Sequence, residues 1–120
     1  MANIFMKSSW GSDDPTRAAM VFGHGNALAR AGHSIRIFLV GEAAPLAIEA
    51  VRASLFPVGW PSLAEQWREC VALGVDILVC DACRQARGVT PESIKDSGAR
   101  IGTPADFVAG VEWSDKIVAE

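Results

Sequence analysis

The feature that most constrains the fold is the regular alternation of short apolar runs with longer segments that carry helix signals. Five runs have the apolar, β-branched character of strands, namely residues 2–6, 33–40, 75–79, 99–102 and 116–119. Strands that alternate with helices are typical of a parallel sheet covered on both faces, with right-handed crossovers. The chain is therefore predicted to adopt an α/β fold.

This pattern corresponds most simply to a flavodoxin-like fold. Such a fold is a five-stranded parallel sheet with strand order 2-1-3-4-5 and helices on both faces. The chain has 120 residues, enough for one substantial core, so residues 1–120 are predicted to form a single domain. In this order strands one and three are neighbours at the switch point, where ligands collect. The loop Ser8–Asp13 and the segment after strand three are therefore expected to line the same crevice.

Capping residues followed by proline predict where several helices begin. Asp14, Thr90 and Thr103 each precede a proline, which combines an N-cap side chain with a residue suited to the first helical turn. The first of these helices is expected to cover about residues 15–31, because a glycine follows it. Ser62 begins another helix through a capping-box pattern.

Two stretches are open to more than one interpretation. Gly23-His24-Gly25 is similar to part of a dinucleotide-binding fingerprint, but it lies inside a predicted helix, so close helix–sheet packing is predicted instead. The loop Phe56–Pro61 is apolar and contains two prolines and a glycine. Such a loop either forms an interface or folds back over the edge of the sheet, and the sequence favours neither.

Composition excludes several classes of protein. Half of the residues are hydrophobic, the formal net charge is −3, and no apolar stretch approaches the ~20 residues of a membrane span. Neither nucleic-acid binding nor membrane association is expected. The N-terminal residues lack the pattern of a signal peptide, and three cysteines do not indicate a disulfide framework. A cytoplasmic protein with reduced thiols is expected.

The stretch Val75–Gly88 carries the candidate chemistry. Its apolar run ends at Cys80, and Cys83 follows three residues later in a helix-like segment. Cys80 is therefore expected where a parallel strand delivers the chain to a helix N-terminus, the edge at which active sites form in α/β sheets. Backbone N–H groups at that position favour a thiolate, and Arg84 and Arg87 add positive charge.

Other charged and polar residues modify this prediction. Because Asp81 opposes the two arginines, the pKa of Cys80 is expected to fall only modestly below that of a free thiol. Ser9, Ser12 and Asp13 are candidate binding residues, because their loop is expected to share a crevice with Cys80.

Four roles for the cysteine pair are compatible with these residues. Cys80 acts as a nucleophile toward sulfur or another soft electrophile, or it forms a dithiol redox couple with Cys83. Metal binding is disfavoured, because C-x-x-C supplies two ligands and Cys70, His24 and His33 have no ligand spacing. The fourth role is purely structural. Cys70 lies on the core-facing stripe of a predicted helix and is expected to be buried and inert. No metal and no cofactor are expected.

Motifs along nearly the whole chain support a more specific hypothesis. They include the small-residue loop with its Asp-Asp-Pro helix start, Ala-Gly-His before strand two and Ile-Phe-Leu-Val-Gly-Glu-Ala in and after it, and the closing Ile-Gly-Thr-Pro-Ala-Asp-Phe. The most specific begins at Cys80 and continues, after six residues, with Arg-Gly-Val. The chain resembles the DsrE/DsrF-like family of sulfur-relay proteins, which includes YchN-type and TusD-type members, and the sulfur-accepting cysteine of that family aligns with Cys80.

The resemblance implies a flavodoxin-like subunit that assembles into homotrimers or hexamers. It also implies a persulfide on Cys80 that is passed to a partner protein, so that the partners are sulfur donor and acceptor proteins. Cys83 resembles the second cysteine of YchN-type members and is expected to resolve the persulfide. Arg84 and Arg87 are expected to stabilise the anionic sulfur in this sulfurtransferase or persulfide carrier. The alternatives are a non-enzymatic oligomeric interaction module and a dithiol redox protein.

Overall fold

The computed structural model describes residues 1–120, and its elements follow the predicted alternation of strands and helices. The strands are β1 (Asn3–Ser8), β2 (Ser34–Leu39), β3 (Asp76–Cys80), β4 (Arg100–Gly102) and β5 (Lys116–Ala119). The helices are α1 (Pro15–Arg30), a 3₁₀ helix (Gly41–Ala47), α2 (Glu49–Ala53), α3 (Leu63–Ala72), α4 (Asp81–Ala86), α5 (Pro91–Asp96) and α6 (Pro104–Trp113). None of the helices has the length and apolarity that crossing a membrane requires.

Side-chain caps begin four of the helices, as predicted. Asp14, Ser62, Thr90 and Thr103 each accept a hydrogen bond from a backbone N–H three residues further along the chain. Thr103 forms a complete capping box, because the side chain of Asp106 accepts a bond from its backbone N–H in return. These bonds satisfy donors that would otherwise have no partner in the first helical turn.

The five strands form one parallel sheet with helices on both faces, which confirms the predicted fold class. The order across the sheet is β4-β3-β2-β1-β5, and it replaces the predicted order 2-1-3-4-5. From β1 to β4 the chain moves by one strand in the same direction at each crossover. The last crossover reverses this direction and places β5 beside β1, so the switch point lies between β1 and β5.

The direction of each crossover decides which face its helices cover. Right-handed crossovers that run in one direction place their helices on one face, and a crossover in the opposite direction uses the other face. Helices α1 and α3 accordingly pack on one face, whereas α6 packs on the other through Phe107. The apolar patterns of the strands show that both faces are covered but not in which direction each crossover runs, so the sequence did not reveal the strand order.

The face beneath α1 and α3 holds the main hydrophobic core. Met6, Ile37 and Ile77 point to it from adjacent strands, and each is at most 1% exposed. Gly25 of α1 permits a close approach, because a β-carbon there would lie 3.1 Å from Cδ1 of Ile37. The helix–sheet packing predicted for this glycine is therefore confirmed.

The apolar loop Phe56–Pro61 folds back and also presents apolar groups to solvent. Trp60 packs against Gly23 of α1, where a side chain would overlap the indole ring. Phe56 and Val58 remain 70% and 89% exposed. The loop therefore folds back onto α1 rather than over the edge of the sheet, and its role as an interface stays a prediction.

The opposite face carries a smaller aromatic core. Phe5, Phe38 and Leu78 form its buried part, and Phe107 of α6 packs on them, with ring centroids 5.6 Å from those of both phenylalanines. A single helix covers this face, and its contact depends on Gly110, where a β-carbon would overlap the Phe5 ring.

Replacing Gly110 with alanine is expected to destabilise the protein, although alanine normally favours a helix. The added methyl group forces the Phe5 ring or α6 to move, at a cost of about 1–3 kcal/mol in the free energy of unfolding. Urea denaturation measures this change. Ala109→Gln, at the exposed neighbouring position of α6, is the control and should change the free energy by less than about 0.5 kcal/mol. An unchanged or increased stability of Gly110→Ala would contradict the close packing.

Candidate functional site

Cys80 lies at the end of β3 and also begins the next helix. It is the last residue of the strand and the N-cap residue of α4, so the strand delivers it to the carboxyl edge of the sheet. Its side chain is half-buried and packs beside the smaller aromatic core. Cys83, also half-buried, packs against the main core on the other side of the sheet. The two thiols are free and lie at this edge, as predicted.

The thiol of Cys80 is less acidic than predicted. Partial burial raises the pKa of Cys80 above that of an ordinary thiol, because the thiolate loses solvation. The Cys83 side chain raises this pKa further, while the backbone N–H groups of Cys83 and Ala82 lower it. The prediction of a modest decrease is therefore wrong, because burial and the second thiol outweigh the helix start.

Arg84 does not face the thiols as predicted. Its Nε donates a hydrogen bond to Oδ1 of Asp81 over 2.9 Å, and its Nη1 donates one to the Val89 carbonyl oxygen over 3.2 Å. Its side chain is only 15% exposed in this arrangement. Arg84 therefore compensates the negative charge of Asp81 and stabilises the turn after α4.

Arg87 is the cation associated with the two thiols. Its Nε and Nη2 donate hydrogen bonds to Oε1 of Glu42 over 3.1 and 2.6 Å, and its Nη1 donates one to the Cys83 carbonyl oxygen over 3.2 Å. Glu42 raises the pKa of Arg87, and negative charge on Cys83 and Cys80 raises it further. The bond to Cys83 places the guanidinium against α4, the helix that begins at Cys80.

Glu42 is a residue of this site that was not predicted from the sequence. It belongs to the 3₁₀ helix that follows β2, and this helix also contacts α4. Because β2 lies between β1 and β3, its carboxyl end adjoins the carboxyl end of β3 at the edge of the sheet. A charged residue soon after β2 was the available signal, and the incorrect strand order concealed its importance.

The loop after β1 is at the same edge but not beside Cys80. Strand β2 separates the two segments, so they do not line one crevice between adjacent strands as expected. Ser9 lies next to Gly41, Ser12 is exposed, and Oδ1 of Asp13 accepts a hydrogen bond from Gly11 within the loop. The structure therefore brings Cys80, Cys83, Arg84 and Arg87 together and leaves Ser9, Ser12 and Asp13 on the far side of the segment after β2.

The surface grooves of the protein lie away from the two thiols. The largest has a volume of about 540 Å³ and is lined by α2, the residues before it, and Ser93 and Asp96 of α5. The others are lined in part by Trp67 and by His33. None includes Cys80 or Cys83, so the thiols occupy an open edge of the sheet rather than a cavity. No group of three or more His, Cys, Asp and Glu side chains is placed to hold a metal ion.

The third cysteine, Cys70, is buried in the core, as predicted. Cys70 is fully buried on α3, and its Sγ lies 3.6 Å from the Phe22 carbonyl oxygen. Burial raises the pKa of Cys70 to about 12. At neutral pH this thiol is uncharged and inaccessible to reagents.

These features define an α/β protein with a pair of thiols at the carboxyl edge of a parallel sheet. The model of the DsrE/DsrF-like family matches residues 3–119, and the chain belongs to this family. An uncharacterized protein of Methanocaldococcus jannaschii is 30% identical over 87 residues, which cover 72% of each chain. An uncharacterized protein of Methanopyrus kandleri is 26% identical over 87 residues, covering 72% of this chain and 68% of the relative.

Solved structures share the fold at lower sequence identity. The YchN protein of E. coli superposes with a TM-score of 0.83 at 18% identity, and the match covers all of both chains. A conserved protein of unknown function from Bacteroides thetaiotaomicron gives a TM-score of 0.69 at 17% identity, covering 97% of this chain and 94% of the other. These similarities establish the fold of the chain.

Alkylation should separate the three cysteines. In the native protein, iodoacetamide is expected to label Cys80 first and Cys83 more slowly, whereas Cys70 reacts only after denaturation. Because the pKa of Cys80 is raised, its thiolate fraction at neutral pH is below that of a free thiol. The labelling rate should therefore continue to increase with pH beyond about 8.5, where a free thiol is half ionised. Peptide mass spectrometry measures each rate.

Cys83→Ala is the matched variant for this measurement. It removes the neighbouring thiol, so the pKa of Cys80 should fall and labelling near neutral pH should become faster. Native labelling of Cys70 before Cys80 would contradict the site assignment. A pH profile that levels off below that of a free thiol would contradict the direction of the Cys80 pKa shift.

Proposed function

We propose that the protein is a cytoplasmic sulfur-relay protein in which Cys80 accepts sulfane sulfur as a persulfide and passes it to a partner protein. The observation that carries this proposal is the accessible edge position of Cys80 beside a second thiol, in a chain of the DsrE/DsrF-like family. The open position at the sheet edge supports transfer between protein surfaces. The free thiols are consistent with a reducing compartment.

The proposed first step is a thiol–persulfide exchange. The Cys80 thiolate attacks the outer sulfur of a donor persulfide, R–S–SH. A bond forms between that sulfur and Sγ of Cys80 while the sulfur–sulfur bond of the donor breaks, so the products are Cys80–S–SH and the donor thiolate, R–S⁻. The acceptor protein then receives the outer sulfur by the same exchange, which needs no external oxidant or reductant.

Cys83 provides a second outcome for the persulfide. Its thiolate attacks Sγ of Cys80, a Cys80–Cys83 disulfide forms, and hydrosulfide leaves with the outer sulfur. A thiol reductant is then needed to restore the pair. The dithiol redox function is therefore the second candidate, and the proximity of Cys83 to Cys80 favours it.

Intact mass measurement tests the relay directly. After incubation with a glutathione persulfide donor, the wild-type protein is expected to gain the mass of one sulfur atom. Cys80→Ser should abolish this addition, whereas Cys83→Ser should increase its lifetime because no resolving thiol remains. Cys70→Ser, at the buried position, is the control and should still gain the mass of one sulfur atom.

Two results would change the conclusion. Loss of two hydrogen masses together with release of hydrosulfide would favour the dithiol redox function. Absence of any Cys80-dependent mass change would overturn both chemistries and favour a non-enzymatic interaction module.

We also propose that the subunit assembles into trimers or hexamers. Support comes from exposed apolar side chains in two regions: Phe56 and Val58 in one loop, and Val108, Val111 and Ile117 on or beside the face that only α6 covers. Soluble monomers rarely expose contiguous apolar patches, and such patches are typical of subunit interfaces.

Light scattering at micromolar concentration should give a mass of three or six subunits. Val58→Asp, Val108→Asp and Ile117→Asp each place a charge at an exposed apolar position, so at least one should shift the mass toward the monomer. Ala86→Asp, at an exposed position of α4, is the control. A monomeric wild-type protein would contradict the proposed assembly.

A further inference from the structure

Glu42 joins three segments at the carboxyl edge of the sheet. Its carboxylate accepts two hydrogen bonds from Arg87, and its backbone carbonyl packs so closely on Gly11 that a side chain there would overlap it. The Glu42 side chain is nevertheless 54% exposed, whereas that of Arg87 is 30% exposed. The backbone of Glu42 is thus held against the loop after β1, and its carboxylate binds Arg87 at the end of α4.

The guanidinium of Arg87 has unused donors in this arrangement. A guanidinium carries five N–H donors, and three of them bind Oε1 of Glu42 and the carbonyl oxygen of Cys83. One N–H on each terminal nitrogen is left without a partner in the subunit. The bond from Nη1 to the Cys83 carbonyl oxygen holds the guanidinium against α4, the short helix that begins at Cys80. Negative charge on both cysteines contributes to the raised pKa of Arg87, in agreement with this placement.

The other charged groups around the thiols are already paired or point elsewhere. On α4, Arg84 is bound to Asp81. On the loop after β1, Asp13 binds the Gly11 N–H. At the far end of β3 and on β4, Asp76 pairs with Arg100. Arg36 of β2 also pairs with Asp76, and the Asp106 carboxylate of α6 accepts a hydrogen bond from the Thr103 backbone N–H.

We propose that Glu42 is a positioning residue for the cysteine pair: it holds Arg87 against the end of α4, so that the two remaining guanidinium donors bind the anionic sulfur formed on Cys80. For the persulfide form of Cys80 this inference rests on the proposed function. For the thiolate form of Cys80 it rests on thiol chemistry alone. Glu42 has two opposing effects on the thiolate of Cys80. Its hydrogen bonds orient the guanidinium of Arg87, whereas its negative charge offsets the positive charge of that guanidinium. Two substitutions at this position separate the effects.

The experiment measures the pH profile of Cys80 alkylation by iodoacetamide in four variants. Arg87→Gln removes the cation, so labelling of Cys80 near neutral pH should slow by roughly threefold, the equivalent of half a pKa unit. Glu42→Ala releases the guanidinium to solvent and should change the rate in the same direction. Glu42→Gln keeps an acceptor for Arg87 but removes the negative charge, so the rate should equal or exceed that of the wild type. Glu112→Gln, at an exposed position of α6, should leave the profile unchanged.

Two results would overturn the proposal. If Glu42→Ala accelerates labelling as Glu42→Gln does, Glu42 acts through its charge and not by positioning Arg87. If Arg87→Gln leaves the profile unchanged, Arg87 does not stabilise the thiolate. Continued protection of Cys70 in each variant verifies that the protein is folded.

A second arm separates this proposal from the relay. The persulfide yield with the glutathione persulfide donor should follow the alkylation order, with Glu42→Gln retaining the wild-type yield and Glu42→Ala losing it. A wild-type protein that forms no persulfide, yet shows the expected alkylation order, would overturn the relay and leave the positioning role of Glu42 supported.

Discussion

The structure depends on the hydrogen-bonded pairing of β1 with a parallel strand on each side. β2 pairs with it along all six residues from Asn3 to Ser8, and β5 pairs along four. This pairing joins the two ends of the chain in one sheet. Because every strand runs in the same direction, all the segments that follow the strands meet at one edge. The thiols, Glu42 and the loop after β1 share one edge of the sheet for this reason.

The two faces of the sheet differ in how they are covered, and the difference influences the site. Helices α1 and α3 cover one face with the main core, whereas the other has one helix held by Phe107 and a close contact at Gly110. Cys80 packs beside the thinner aromatic core and Cys83 beside the main core. The pair therefore spans the edge where the two layers meet, partly desolvated by both and still accessible.

Several groups at this edge have opposing effects on the pKa of Cys80. Burial and the second thiol favour the protonated form of Cys80, whereas the backbone N–H groups of Cys83 and Ala82 favour the thiolate. Glu42 accepts hydrogen bonds from two of the N–H donors of Arg87, and other donors of that guanidinium remain without a partner. The Cys80 thiol is therefore more strongly protonated than an ordinary thiol, and the nearby Arg87 keeps donors without a partner.

Local residue patterns determined the elements of this protein and the identity of its accessible thiol. The caps at Asp14, Ser62, Thr90 and Thr103 were predictable because they act over three residues, and the apolar runs placed Cys80 at a strand end and Cys70 in the core. The tertiary structure alone decided the strand order, because the apolar pattern of a strand does not reveal the direction of the next crossover. It also decided that Arg87, rather than Arg84, is the cation at the thiols, and that the pKa of Cys80 rises. These outcomes depend on contacts such as Arg87 with Glu42, 45 positions apart in the sequence, and on the degree of burial, which exist only after the chain has folded.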